Sequence, residues 1–190
     1  MLIISQNATN YDLQLPENCV FRINLAWCDS IDELENILKK HKGQDIFIDL
    51  PIGRIKPPNN KYSLEEIIPL MFQYKNVKYF AVSNVESKDD LKSFIEVIPN
   101  ETIIVPKIES PDAVDNIKSI TESLPGSKKI VMLDHDDLFS SLIRKNESKE
   151  RFKDYIQKLV EFCEENEIRL LRTVGVIFSD DEKRTSQYIK

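Results

Sequence analysis

The stretch 103–138 constrains the fold of this chain more than any other. It holds two short apolar runs, at 102–108 and 129–133, and a helical pattern that opens with Ser110 and Pro111 lies between them. Two strands joined through a helix form a βαβ unit, in which the two strands lie parallel. The functional groups of a parallel sheet gather at the carboxyl ends of its strands. We therefore expect the residues that follow these two runs to lie close together.

Charged residues follow both runs. Lys107 and Glu109 close the first, and the sequence Asp-His-Asp-Asp at 134–137 closes the second. In a parallel barrel the two strand ends face one mouth, so Lys107, Glu109 and Asp137 are predicted to converge on one small ligand. The alternative is that these charges are only solvated, or paired with one another.

Apolar strand patterns and amphipathic helical patterns alternate along the whole chain, as in a series of βαβ units. The predicted strands lie at 2–5, 19–27, 45–50, 78–83, 102–108, 129–133 and 168–173, the last one with an extension toward 178. A complete (β/α)8 barrel has about 250 residues and seldom fewer than about 200. We therefore predict one domain, 1–190, of the α/β class: an incomplete TIM-type barrel of about seven parallel strands.

Composition excludes several function classes. The net charge of -6 argues against binding to nucleic acid or to an anionic membrane surface. The chain has four glycines and no glycine-rich phosphate loop, so no nucleotide is expected. Its three cysteines, at 19, 28 and 163, have neither disulfide-framework nor zinc-ligand spacing, and no secretory leader is visible. These features predict a cytoplasmic protein.

Several short motifs, in order, resemble the barrel domain of pyruvate kinase and more widely the phosphoenolpyruvate/pyruvate superfamily. Arg-Ile-Asn at 22–24 is similar to the family's Arg-x-Asn, and 49–55 is similar to its Asp-x-x-Gly-Pro-x-Ile-Arg strand with the spacing altered by one. Residues 76–91 resemble its fourth strand and the helix start that follows. The closest match is Lys-Ile-Glu at 107–109. His-Asp-Asp-Leu at 135–138 stands where the family has Arg-Gly-Asp-Leu.

The resemblance implies roles for six residues. It makes Lys107 the catalytic group that assists enolate protonation, and Glu109 with Asp137 the ligands of a divalent metal, Mg²⁺ or Mn²⁺. Two carboxylates suit such an ion because it prefers hard oxygen ligands. A second positive charge beside Lys107 is expected to lower the pKa of its ammonium.

The same resemblance assigns Arg22 to the phosphate of the substrate and places Asn24 and Asp49 at a monovalent-cation site. The implied substrate is a small keto acid or a phosphorylated acid. Two parts of pyruvate kinase are missing: the nucleotide lid, where Lys56 runs directly into two prolines, and the C-terminal domain. The family glycine before the metal-binding aspartate is Asp136 here. Phosphoryl transfer to ADP is therefore not expected.

Two functions stay open at this stage. The first is a divalent-metal-dependent lyase or aldolase that acts on a pyruvate-like keto acid through an enolate. The second is a degenerate, non-catalytic barrel that serves as a binding or assembly subunit. Seven strands leave two open sheet edges, which proteins normally cover. The tail can cover them through Tyr188 and Ile189, or a second chain can, and we predict a homodimer that covers strands one and seven.

Overall fold

The computed structural model describes residues 2–5, 18–52 and 61–172. Within these ranges seven parallel strands form one curled sheet in the order β1-β2-β3-β4-β5-β6-β7, with helices between them. The strands are β1 Leu2–Ser5, β2 Cys19–Asn24, β3 Asp45–Leu50, β4 Val77–Val82, β5 Ile103–Ile108, β6 Ile130–Leu133 and β7 Arg169–Arg172. The predicted fold, an incomplete α/β TIM-type barrel, is confirmed.

The helices connect successive strands and cover the outer face of the sheet. They are α1 Ile31–Lys40, α2 Leu64–Gln73, α3 Lys92–Val97, α4 Pro111–Asp115, α5 Ile117–Ser123, α6 His135–Arg144 and α7 Arg151–Glu165. Two 3-10 turns, Leu25–Trp27 and Lys88–Leu91, complete the described elements. Among the described helices, none combines the length and the apolar character that crossing a membrane requires.

Side chains alternate between the two faces of each strand, as the pleat requires. On β3, Ile46 and Ile48 pack outward into the core under the helices, whereas Phe47 packs inward into a separate apolar cluster. The inner cluster contains Val20, Phe47, Tyr79, Ala81, Val105, Ile130, Met132 and Leu171. Two residues further along each strand, on the same inward face, Phe47 is followed by Asp49 on β3 and Val105 by Lys107 on β5. The polar groups at the strand ends therefore share the inward face.

Three predicted boundaries are wrong, each for a local reason. The second strand was predicted to reach Trp27, but β2 ends at Asn24, whose side-chain oxygen accepts the Ala26 N–H at 3.0 Å and starts a 3-10 turn. The helix after Ser110 was predicted as one piece, but it breaks at Asn116, where ψ is 7°. The stretch that begins at His135 was predicted as a strand end, but it is the first turn of α6.

The third difference matters for function. Asp134 ends the extended chain with ψ 104°, and its carboxylate accepts the Asp137 N–H at 3.3 Å, which is the bond of a helix N-cap. The motif Gly53-Arg54-Ile55, the extension 173–178 and the plug residues Tyr188 and Ile189 lie outside the described residues. The homodimer stays a prediction.

Candidate functional site

A cavity of about 480 Å³ opens at the carboxyl ends of the strands. It is lined by Arg22, Asn24, Asp49, Pro51, Ile52, Ser83, Asn84, Lys107, Glu109, Asp134, Asp136, Asp137, Ser140 and Arg144. All six residues that were predicted from the sequence are in this set. The structure therefore brings them to one site, and their individual roles stay predictions.

One side of the cavity, on β2 and β3, is a closed ion pair. The guanidinium of Arg22 binds Asp49 through Nη2 and through Nε, the latter at 3.1 Å from Oδ2. Asp49 is almost fully buried, at 1% exposure, and its other oxygen, Oδ1, has no hydrogen-bond partner among the described residues. The Asn24 side-chain oxygen already accepts the Ala26 N–H. The two predicted monovalent-cation ligands are thus both engaged by the protein, and one carboxylate oxygen is left over.

The opposite side, on β5 and β6, is centred on the buried Lys107 ammonium. Its Nζ lies 2.5 Å from Oε1 of Glu109 and 3.5 Å from Oδ2 of Asp134, and it donates to Oγ of Ser83 at 3.3 Å. The other carboxylate oxygen of Glu109, Oε2, accepts the backbone N–H of Asn84 at 2.7 Å. Parallel pairing of β5 with β6 places Lys107 beside Met132, two residues before Asp134, which explains why these groups meet.

The charge on Lys107 follows from its surroundings. Burial alone lowers the pKa of the Lys107 ammonium, but the carboxylates of Asp49, Glu109 and Asp134 outweigh that effect, and the pKa stands above its usual value. Burial raises the pKa of Glu109, while Lys107 and the Asn84 N–H oppose that rise. Lys107 is therefore cationic at neutral pH when no metal is present.

Three carboxylates gather next to this lysine. One oxygen each from Glu109, Asp134 and Asp137 lies within 4.8 Å of the others. Oxygen ligands of an octahedral Mg²⁺ are about 3.0 Å apart when adjacent and about 4.2 Å apart when opposite, so this group would have to contract around an ion. The predicted pair, Glu109 and Asp137, is part of the group, and Asp134 is the member that sequence reasoning missed.

The formal charge of the lining favours a cation. Three lining residues are cationic and five are carboxylates, which gives a balance of -2. The cations are Arg22, Lys107 and Arg144, and the carboxylates are Asp49, Glu109, Asp134, Asp136 and Asp137. One divalent ion would neutralise the described lining.

Besides Asp134, four lining residues that contribute to the site were not selected from the sequence. Ser83 and Asn84 follow β4, and Asn84 takes the positive φ of 55° that presents its N–H to Glu109. Asparagine tolerates that conformation better than most residues, so Ser-Asn after a strand was an available signal. Ser140 and Arg144 lie on α6, a helix that was not predicted at all.

Neither the family models nor the curated proteins include a match to this chain. Solved structures do share its fold. RipC from Yersinia pestis is 15% identical with a TM-score of 0.61, and the match covers 94% of this chain and 77% of that one. The HpcH/HpaI aldolase from Desulfitobacterium hafniense DCB-2 is 13% identical with a TM-score of 0.60, covering 84% and 70%. At these identities the similarity establishes the fold, and the resemblance to pyruvate kinase in particular stays a prediction.

Proposed function

We propose that this chain is a divalent-metal-dependent lyase or aldolase that acts on a pyruvate-like keto acid through an enolate. The observation that carries the proposal is the convergence of Glu109, Asp134 and Asp137 beside the buried ammonium of Lys107. A fold shared with a protein described as an aldolase supports the reaction class. Strand-end carboxylates and a lysine at one mouth are the groups that enolate chemistry requires.

Mg²⁺ or Mn²⁺ fits the donor set. Glu109, Asp134 and Asp137 supply hard carboxylate oxygens, which these ions prefer to nitrogen or sulfur. When bound there, the ion supplies positive charge to the keto and enolate oxygens of the substrate. Glu109 and Asp134 also contact Lys107, so these two carboxylates would face both the ion and the ammonium.

Lys107 acts as the proton donor in this proposal. Its ammonium is cationic at rest, because three carboxylates raise its pKa. In a 4-hydroxy-2-keto acid, transfer of the 4-hydroxyl proton to a lining carboxylate lets the bond between carbons 3 and 4 break, which releases an aldehyde and leaves the enolate of pyruvate. A proton from Nζ of Lys107 then converts carbon 3 to the methyl group of pyruvate. The Lys107 ammonium would have a lower pKa with a metal ion beside it, and this would make the proton transfer easier.

The β2–β3 side has a binding role. Arg22 lines the cavity while Asp49 fixes its guanidinium, so it presents an oriented positive charge to the carboxylate or phosphate of a substrate. The unpartnered Oδ1 of Asp49 is the atom on this side that a monovalent cation would contact. Asn24, whose oxygen caps a turn, would have to give up that bond to join it.

Exchange of the methyl protons of pyruvate with solvent tests enolate formation without knowledge of the full substrate. In D2O with millimolar Mg²⁺ or Mn²⁺, proton NMR should show the methyl signal decaying when the protein is present. Lys107→Met should stop this exchange, whereas Lys158→Met, which removes an exposed lysine paired with Asp115, should not. Metal-loaded wild-type protein that leaves the methyl signal intact would contradict the proposal.

Two observations favour the alternative, a non-catalytic barrel that serves as a binding or assembly subunit. The Lys107 ammonium already sits 2.5 Å from Glu109 and gives the acidic group an internal counter-ion. The edge strands β1 and β7 do not pair with each other within the described residues, which suits closure by a second chain. Light scattering at about twice the 22.1 kDa chain mass, together with no methyl exchange, would favour this reading.

A further inference from the structure

The outer wall of the cavity is one face of helix α6. Asp136, Ser140 and Arg144 follow one another at intervals of four residues, and Asp137 lies beside them, so the four project from the same side of the helix. All four line the cavity. This face therefore presents carboxylates at its inner end, then a hydroxyl, and then a guanidinium at its outer end.

The rest of α6 is anchored, so this face has a fixed direction. Leu138, Ser141 and Leu142 are buried on the side that faces the core. At the end of the helix, Lys145 binds Asp112 of α4. The helix is thus attached along its length and at its C-terminus. The Arg144 side chain is exposed, but its backbone position is fixed because the opposite face of α6 packs in the core.

Arg144 differs from the other two cations of the lining. Arg22 is paired with Asp49, and Lys107 is paired with Glu109 and Asp134. In the part of the chain that the structure describes, Arg144 has no ion pair. A guanidinium at the rim of a cavity with no carboxylate partner is available to a planar anion, which it binds through two parallel N–H donors.

The spacing along α6 sets where that anion would lie. Seven residues separate Asp137 from Arg144, or about 10 Å along the helix axis. Helix side chains tilt toward the N-terminus, so Arg144 leans back toward the carboxylate group. An open-chain molecule held at the inner end by its keto acid therefore reaches Arg144 with a second group a few carbons away.

We propose that the substrate carries a second anionic group, a carboxylate or a phosphate, which is bound by Arg144 with Ser140 as an additional hydrogen-bonding partner. The inference rests on the proposed function for the keto-acid end of the molecule. It goes beyond that function because it identifies the substrate as a keto acid with two anionic groups, and α6 as the element that selects it.

Matched ligands test this by calorimetric titration of the Mg²⁺-loaded protein at low ionic strength. The pair 2-oxohexanoate and 2-oxoadipate differs only in the terminal carboxylate. Hydroxypyruvate and its 3-phosphate form the corresponding phosphate pair. The member with the second anion should bind about five- to tenfold more tightly, the value of one partly exposed charge-assisted contact. The ligand pair with the larger affinity ratio shows whether the second anionic group is a carboxylate or a phosphate.

Arg144→Gln should reduce that ratio to about one, and Arg144→Lys should keep part of it, because lysine retains the charge without the paired donors. Lys145→Gln is the control, since it removes the same charge one residue along, where the side chain binds Asp112. Equal affinities within both pairs, or a ratio unchanged in Arg144→Gln, would overturn this inference alone. Wild-type protein that binds none of the four ligands would overturn the proposed function together with it.

Discussion

The two sides of the cavity use the same kinds of side chain to different effect. On the β2–β3 side, one guanidinium meets one buried carboxylate, Arg22 with Asp49, and the charges cancel. On the β5–β6 side, the single ammonium of Lys107 faces Glu109 and Asp134, with Asp137 beside them. Among the described residues, the first side has one cation for one carboxylate, although Oδ1 of Asp49 stays without a hydrogen-bond partner, whereas the second side has more carboxylates than cations. We therefore expect a divalent ion at the second side.

The largest effect is expected from Lys107→Met. Without metal, this change leaves carboxylates close together in a buried site, and it should lower the free energy of unfolding by about 4 kcal/mol. Mg²⁺ should restore more stability to the variant than it adds to the wild type, because the ion replaces the missing positive charge. Urea denaturation with and without Mg²⁺ measures both. Lys158→Met, which breaks an exposed pair, should cost no more than about 0.5 kcal/mol.

Arg22→Gln should also lower stability, but through the Arg22–Asp49 pair on the β2–β3 side. It leaves Asp49 buried without its cation and should cost about 3 kcal/mol, somewhat less than Lys107→Met because Arg22 is 17% exposed and water can reach the site. Mg²⁺ should not restore this loss. The same urea experiment checks it, and an Mg²⁺-dependent recovery equal to that of Lys107→Met would mean that the two sides form one cation site.

Metal binding itself should stabilise the wild type but not a variant without its ligands. At a concentration of about 100 times the dissociation constant, a bound ion adds about 2.7 kcal/mol. Glu109→Gln combined with Asp137→Asn should abolish the rise in melting temperature with Mg²⁺ or Mn²⁺. Asp154→Asn with Glu165→Gln, two exposed carboxylates on α7, is the matched control and should keep it. A shift that survives in the first double variant would place the ion elsewhere.

Asp134 has two proposed roles, as the N-cap of α6 and as a metal ligand, and we expect its substitutions to change stability least. Asparagine caps a helix about as well as aspartate, so Asp134→Asn should lose only what the 3.5 Å ion pair with Lys107 contributes, while Asp134→Ala should cost about 1 kcal/mol more. Both variants should bind Mn²⁺ more weakly, because both remove a carboxylate ligand. Thermal melts and metal titration of the two proteins side by side give the answer. If both variants bind Mn²⁺ as tightly as the wild type does, Asp134 is a helix cap and not a metal ligand.

Much of this arrangement was accessible from the sequence, because strand alternation is a local property. Lys107 and Glu109 lie two residues apart around the end of one strand and so share its inward face. The cap at Ser110 with Pro111 in the first helical position was equally readable, and the structure has both. Such features depend only on neighbours within a few residues.

The parts that could not be predicted depend on tertiary structure or on a very short connection. Helix α6 begins directly after Asp134, the residue that follows β6, with no intervening loop, so the strand and helix patterns merge in the sequence. The hydrogen bond from the Asn84 N–H to Glu109 depends on the two strand ends lying side by side. The place of Arg144 at the cavity rim depends on the packing of α6. The last two leave no periodic signal, whereas α6 does have one, since its buried residues Leu138 and Leu142 are four positions apart.

An anomalous diffraction experiment on crystals soaked with Mn²⁺ tests the proposed metal site most directly. We expect one anomalous peak per chain on the β5–β6 side, within coordination distance of Glu109, Asp134 and Asp137. We expect no peak at the Arg22–Asp49 pair, where the charges already cancel. Crystals at saturating Mn²⁺ that show no peak on the β5–β6 side, with Lys107 still bound to Glu109, would rule out a metal site there.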